Sequence, residues 1–404
     1  MNRKSLFSPT PFTIISLVAG VSIAFAQVSR PYSDWGNYRV QKLSPAASGW
    51  TQVNSDGFGE PTNIGVTALE VFNGQLYAGA SNWQNGGRVW RTDAGTSWTP
   101  ISEIGFGSAY TNTNPAIIDM IEFDSQLYAG IGWDGVGGQI WRSLDGTNWE
   151  QVEGNGFGDA NNHSITAFIV FTNTLYAATG NDDNGLQIWG SNTGDSLSWT
   201  NVITAGFGYS TTGQVTGFAE FNNALYAATE SSIVLASAQV WRTTDGITWT
   251  AVITDGFGDP NNVSAGGLAL FGGYLYLGTR NDVTGAQLWR SNDGTTWIQV
   301  ISDGLGDSSN VKIDSLFVFE GHLYAVTYNE VMGTEVWRSS DGTTWRQVNV
   351  DGFGDSNNFS TLWSNATIAF NNRLFIGTWN DTSGGEVWMM LRQVFLPLVV
   401  RNYQ

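Results

Sequence analysis

The sequence has no cysteine among its 404 residues. That excludes disulfides, thiolate-bound zinc, iron–sulfur clusters and thiol catalysis. Histidine occurs only at His163 and His322, too few for a multi-histidine metal site. Lysine occurs only at Lys4, Lys42 and Lys312, against 50 glycines, which argues against long helices and coiled coils. Basic residues are scarce as a class: 17 Lys and Arg face 35 Asp and Glu, a net charge of -18. A surface that acidic repels phosphate backbones, so nucleic acid is not an expected partner. Beyond residue 26 no apolar run is long enough to cross a bilayer. What is abundant is apolar and aromatic material, 41% and 13%, ample for a packed core.

Residues 1–26 read as a secretory signal peptide. Arg3 and Lys4 begin it, Pro11 to Phe25 form its apolar run, and Ala24-Phe25-Ala26 is a small-x-small cleavage site. The expected mature protein starts at Gln27 and is secreted, extracellular or held at the cell surface. An uncleaved anchor is the alternative. Residues 27–48 form a polar lead-in, 49–391 the repeat domain and 392–404 an apolar tail. The tail runs Val394-Phe-Leu-Pro-Leu-Val-Val400. It resembles short terminal tails of some secreted bacterial proteins; packing along the last repeat is the other reading. The sequons at Asn162, Asn262, Asn358, Asn365 and Asn380 fit chance in an Asn-, Ser- and Thr-rich chain.

The chain repeats every 48 to 51 residues. A Leu-aromatic pair recurs at Tyr77, Tyr128, Tyr176, Tyr226, Tyr276, Tyr324 and Phe375. An aliphatic-Trp pair recurs at Trp90, Trp141, Trp189, Trp241, Trp289, Trp337 and Trp388. A second Trp falls at Trp50, Trp98, Trp149, Trp199, Trp249, Trp297 and Trp345, each followed eight residues later by Phe, or by Leu305. Each copy divides into four strands. Strand A is like 165–171, B like 175–179, C like 186–190 and D like 198–203. The A–B turns (Asn-Gly, Asp-Ser, Thr-Asn, Asn-Asn, Gly-Gly, Glu-Gly, Asn-Asn) suit two-residue hairpins with positive φ. Strands A and B are apolar on both parities, so both faces are expected to be buried. The fold expected is all-β: a seven-bladed β-propeller with four antiparallel strands per blade. The last copy lacks strand D and the first is preceded by an orphan one, Trp50 to Val53. Pairing the two closes the ring and removes two open edges.

The C–D turns read Ser143-Leu-Asp-Gly-Thr-Asn-Trp149, and likewise Thr243 to Trp249, Ser291 to Trp297 and Ser339 to Trp345. They resemble the Asp-box (BNR) repeat, Ser-x-Asp-x-Gly-x-Thr-Trp, of sialidases and related secreted propellers. Here Asp and Gly are adjacent, one residue short of that motif. The resemblance implies a bacterial secreted propeller in which the Asp caps the turn and the Trp packs between blades. It does not extend to sialidase chemistry. Arg91, Arg142, Arg242, Arg290 and Arg338 share one repeat position, which suggests a structural role. Only Arg88 and Arg280 are expected on loops of the opposite face, so no arginine triad forms.

Departures from the repeat are where function is sought. Chain direction puts the B–C and D–A loops on one face. Trp83, Trp133 and Trp379 fall in B–C loops of copies 1, 2 and 7, and Trp363 falls in the D–A loop entering copy 7. Together they would form an aromatic platform for sugar rings or a protein surface. Four residues after the strand B aromatic, Glu230, Arg280 and Tyr328 follow one another around the ring and suit a polar ligand. Asp159-Ala-Asn-Asn162 and its counterparts in later D–A loops could offer oxygens to Ca²⁺, but they equally make turns through their own side chains. No other cofactor is expected. Asp119 and Asp314 can face the channel, and Glu70, Glu122 and Glu220 on strands A supply carboxylates but no evident pair. The reading is a non-enzymatic binding or adhesion module for carbohydrate or an extracellular protein. A glycoside hydrolase or lyase at the propeller mouth and a structural envelope protein are the alternatives.

Overall fold

The computed structural model describes residues 49–107, 116–132, 135, 137–232, 237–360 and 366–390, and the backbone of Val40–Gln41. The signal peptide, the C-terminal tail, Trp133, Trp363 and Asn365 lie outside the described residues.

Nearly all regular structure is strand. In copy 3 the strands are Ser164–Phe171, Thr174–Gly180, Ile188–Ser191 and Thr200–Ile203, each antiparallel to the next. Copies 1, 2, 4, 5 and 6 repeat this meander. In copies 1, 2, 3 and 6 the first five residues of strand A and its last are buried, and the two between them are more open. The hairpin then closes on a pair in the left-handed region, as at Asn73 (φ 50°) and Gly74 (φ 71°), or Thr172 (φ 49°) and Asn173 (φ 62°). Every A–B turn has positive φ at both central residues, the geometry whose twist matches the flanking strands.

The chain's first Trp-bearing strand completes its last meander. Trp50 pairs with Met390, Thr51 with Met389 and Gln52 with Trp388. Two interlocks then join each copy to the next. After strand D the chain makes a Gly-Phe-Gly turn in which Phe58, Phe157, Phe207, Phe257 and Phe353 each stack on the next strand C Trp, with centroids 4.7, 4.5, 4.5, 4.8 and 4.6 Å apart. Each also meets the strand D Trp edge-on, Phe353 doing so at Trp50 across the closure. The second interlock seats Tyr77, Tyr128, Tyr176, Tyr226 and Tyr276 of strand B on the following C–D turn. A Cβ at Gly146 would lie 2.0 Å from the Tyr77 hydroxyl, and Gly146 has φ +72°; only glycine satisfies both demands. In that turn Asp145 Oδ1 accepts the Thr147 and Asn148 N–H groups at 2.8 and 2.7 Å. These bonds hold its carboxyl down to about 2.

Four details correct or add to the sequence expectation. Arg280 and Arg88 lie on strands, Tyr274–Asn281 and Arg88–Thr92, rather than on loops. The polar lead-in contains a short strand, Val40–Gln41, parallel to Trp345–Arg346. The sequon residues Asn162, Asn262, Asn358 and Asn380 are fully buried; Asn162 Oδ1 accepts from Thr179 Oγ1 at 3.1 Å and from Asn181 Nδ2 at 2.9 Å. Finally, strand A slips register by one residue against B, between Ile117 and Asp119 in copy 2 and between Ile313 and Ser315 in copy 6. Such a bulge bends the strand and re-aims its side chains.

Candidate functional site: the axial cavity and its mouth

The A strands converge on a cavity of about 250 Å³, walled by Leu69, Glu70, Asp119, Phe168, Thr216, Leu268, Ser315 and Thr367 among others. Residues from the A strand of every copy reach this wall. Most of the lining is apolar side chain, hydroxyl or backbone; Glu70 and Asp119 are its only ionisable members among the described residues. Asp119 sits at the bulge. Its Oδ1 accepts the Met120 N–H at 2.8 Å and its Oδ2 the Phe168 N–H at 2.6 Å, which ties copy 2 to copy 3. Burial nevertheless pushes its pKa up to about 7. Burial, and then the neighbouring Asp119 and Glu122, push Glu70 up to about 8. Glu122 and Glu220 are exposed.

At the end of the strands, the hairpins of copies 4, 5 and 6 are joined by single bridges. Glu230 pairs with Ser264, Ser264 with Arg280, Arg280 with Lys312 and Lys312 with Tyr328. Cross-strand partners share a face, so residues about 100 positions apart in sequence form one row. Lys312, 1% exposed, lies 3.2 Å from Asp314 Oδ1 and 3.8 Å from Glu230 Oε2. Arg280 Nε and Nη2 donate to the two oxygens of Asp282 at 3.0 and 3.2 Å, and Nη1 lies 4.0 Å from Glu230 Oε1. The buried Tyr328 hydroxyl donates to Glu330, and its ring meets Phe359 edge-on. Burial raises the pKa of Asp314, against the pull of Lys312.

The structure thus brings Glu230, Arg280 and Tyr328 together as neighbours. It adds Lys312, Asp314 and Ser264, which the repeat pattern alone did not single out as a group. A signal was available: Lys312 is the only lysine in the repeats, at a position that is Gly65, Ala116, Ser164, Gln214 or Ser264 elsewhere.

The aromatic platform changes. Trp83 is exposed, but Trp379 is buried at 9%. Its backbone pairs with Phe359, its Nε1 donates to Asp381 at 2.6 Å, and its ring lies so close to Gly65 that a Cβ there would sit 2.4 Å away. Large aromatics bury themselves where a glycine leaves room. The D–A loop oxygens are occupied in turns: Asp159, Asp259, Asp307 and Asp355 each accept the N–H two residues on. Among the described residues no group of three or more His, Asp or Glu is placed to hold a metal. Arg142 bonds Glu150 of its own copy and Asp195 of the next, both at 2.6 Å, a cross-copy tie. No described helix is long and apolar enough to cross a membrane.

Neither a protein-family model nor a curated protein sequence matches the chain. Solved structures do. A prolyl endopeptidase overlaps 84% of this chain with a TM-score of 0.50 and 13% identity, and this chain spans half of that one. The WD40 β-propeller domain of Doa1 overlaps 85% of this chain and 98% of its own, with a TM-score of 0.53 and 11% identity. Trypanosoma rangeli sialidase gives 0.44 at 12% identity, covering 86% of this chain and 59% of its own, too low to argue from. Arabinofuranosidase and polysaccharide lyase structures also appear, so the neighbours are mostly enzymes. Identities this low speak for fold alone, and the fold they share with this chain is the β-propeller.

Proposed function

We propose that this chain is a secreted, seven-bladed propeller that binds a hydroxyl-rich ligand, a carbohydrate, at the mouth of its axis without turning it over. The observation that carries the reading is the row Glu230–Ser264–Arg280–Lys312–Tyr328. Charged and aromatic departures from the repeat collect at one place, beside exposed loop tips, while copies 1 to 3 keep small residues there (Gly65 and Ser81, Ala116 and Gly132, Ser164 and Gly180) and copy 7 has the buried Trp379. Convergent polar groups of this kind are what fix the orientation of a small ligand. Trp83, exposed in the B–C loop of copy 1, adds an aromatic surface to this reading. The seven-blade count is supported by the closure at Trp50 and by the A strands lining one cavity.

A second reading rests on Glu70 and Asp119. Two carboxyls raised toward neutrality in one cavity suit general acid–base work, and a glycoside hydrolase or lyase would use them. One experiment separates the two. A glycan array is probed with residues 27–404, with and without Ca²⁺, and hits are then followed for released reducing ends. Saturable binding, weakened in Arg280→Ala and without product, is the expected result. Product formation abolished by Asp119→Asn would replace binding with hydrolysis or lysis. No binding to any glycan would end the carbohydrate reading.

A further inference from the structure

The mouth row contains more hydrogen-bonding capacity than the protein itself uses. Glu230 forms no hydrogen bond to any described residue; its nearest polar neighbours are Lys312 Nζ at 3.8 Å from one oxygen and Arg280 Nη1 at 4.0 Å from the other. An ionised carboxylate has about four acceptor positions to fill. Asp314 Oδ1 is ion-paired with Lys312 at 3.2 Å. The hydroxyl of Ser264 is buried and has no described hydrogen-bond partner. Ser264 is the strand partner of both Glu230 and Arg280, so it belongs to the same row. Buried polar groups are normally satisfied, and those left open mark a place where water or a ligand completes the bonding.

Charge narrows what that ligand is. An anion would meet Glu230, Asp282, Asp314 and Glu330; a cation would meet Lys312 and Arg280. A neutral molecule avoids both penalties. Asp282 pins two nitrogens of Arg280 and so leaves Nη1 toward Glu230. Each oxygen of Glu230 therefore has its own cation about 4 Å away. A hydroxyl placed beside such a pair donates to the carboxylate and accepts from the cation. Two adjacent hydroxyls would satisfy both oxygens at once.

Resting on the carbohydrate reading above, we infer that Glu230, flanked by Lys312 and Arg280, is a two-point clamp for the vicinal diol of a neutral sugar. Glu230 accepts both hydroxyl protons; Lys312 donates to one hydroxyl oxygen and Arg280 to the other. Ser264 lies between the two hydroxyls' positions as a further donor.

The test is a protein titration followed by NMR, with glucose, galactose, mannose and myo-inositol as neutral probes. Glucuronate, glucosamine and 2-deoxyglucose are run beside them. At least one neutral diol should saturate the protein. The uronate and the amino sugar should bind at least about tenfold more weakly, since each brings a like charge into the row. Glu230→Gln should weaken the neutral probe by about tenfold or more, because an amide presents one acceptor where the clamp needs two. Glu230 is partly exposed, so this variant should keep its melting temperature, and melting is measured alongside. Lys312 is buried between carboxylates and its replacement endangers the fold, so Arg280→Gln serves as the second variant.

Tighter binding of the charged sugars, or neutral binding unchanged in Glu230→Gln, would overturn the clamp. If oligosaccharide hits from the array survive Glu230→Gln, the carbohydrate reading stands and the clamp falls. If neither simple sugars nor array glycans bind the wild type, both fall.

Discussion

At the residue scale the protein sorts its carboxylates by environment. Asp145, exposed in a turn and fed by two N–H groups, is held down to about 2. Asp119 also accepts two N–H groups, yet it is raised to about 7 because it is buried. Desolvation disfavours the charged form, and here it outweighs two good hydrogen bonds. Glu70 beside it is raised to about 8. The consequence for stability has a definite sign. A carboxyl raised in the folded state binds more protons there than in the unfolded chain, so folding is favoured at low pH and loses stability as pH rises. From both groups, the melting temperature should fall from about pH 5 to about pH 8. Glu70→Gln should flatten much of that slope in melts at a series of pH values. A slope unchanged in the variant would show that Glu70 does not titrate in this window.

At the element scale the unit of construction is the junction between copies. The Gly-Phe-Gly turn holds Phe58, Phe106, Phe157, Phe207, Phe257 and Phe353 at φ between 55° and 63°. That conformation costs roughly 1–2 kcal/mol for a residue with a side chain. Its return is a ring wedged between two tryptophans of the next copy. Phe106 is the most buried of these and contacts Trp141 and Trp149 at 5.0 and 5.3 Å. Phe106→Ala should destabilise the protein by about 3 kcal/mol, read as a shift in urea midpoint. Phe106→Gly should cost less than the cavity alone implies, because it relieves the backbone strain. If the glycine variant is markedly worse than the alanine one, strain at this turn is not significant.

At the scale of the whole molecule, closure is the decisive event. Trp50 to Gln52 is the only strand that pairs with Val387–Met390 on its outer side among the described residues. Trp50 also donates from Nε1 to Val348 O at 3.0 Å and meets Phe353. A chain starting after Val53 would leave an unpaired edge, which invites pairing with another copy. Its expected behaviour is self-association in light scattering and loss of a single cooperative melt. A monomeric, cooperatively melting truncation would mean that the closing strand is dispensable.

Much of this was legible in the sequence, for a physical reason. The hairpin turns, the two tryptophan positions and the capped Asp-Gly turns are local: each depends on backbone conformations or contacts that recur at a fixed offset. Repetition makes such signals visible without knowing the fold. Even the closing strand follows from counting, because an orphan strand and an incomplete copy imply each other. The site was legible only in part. Glu230, Arg280 and Tyr328 stand out as departures, but that they touch depends on single bridges between copies, and those also bring in Lys312 and Ser264. The fate of Trp379 was hidden for the same reason: its burial is set by Gly65, more than 300 residues away in sequence and adjacent only once the ring is joined. Sequence determined the strands, their turns and the order of the copies, since these are properties of neighbours along the chain. Only the tertiary structure decided which side chains share the mouth and which carboxyls lose their water, since both depend on what the closed ring brings together and shuts in.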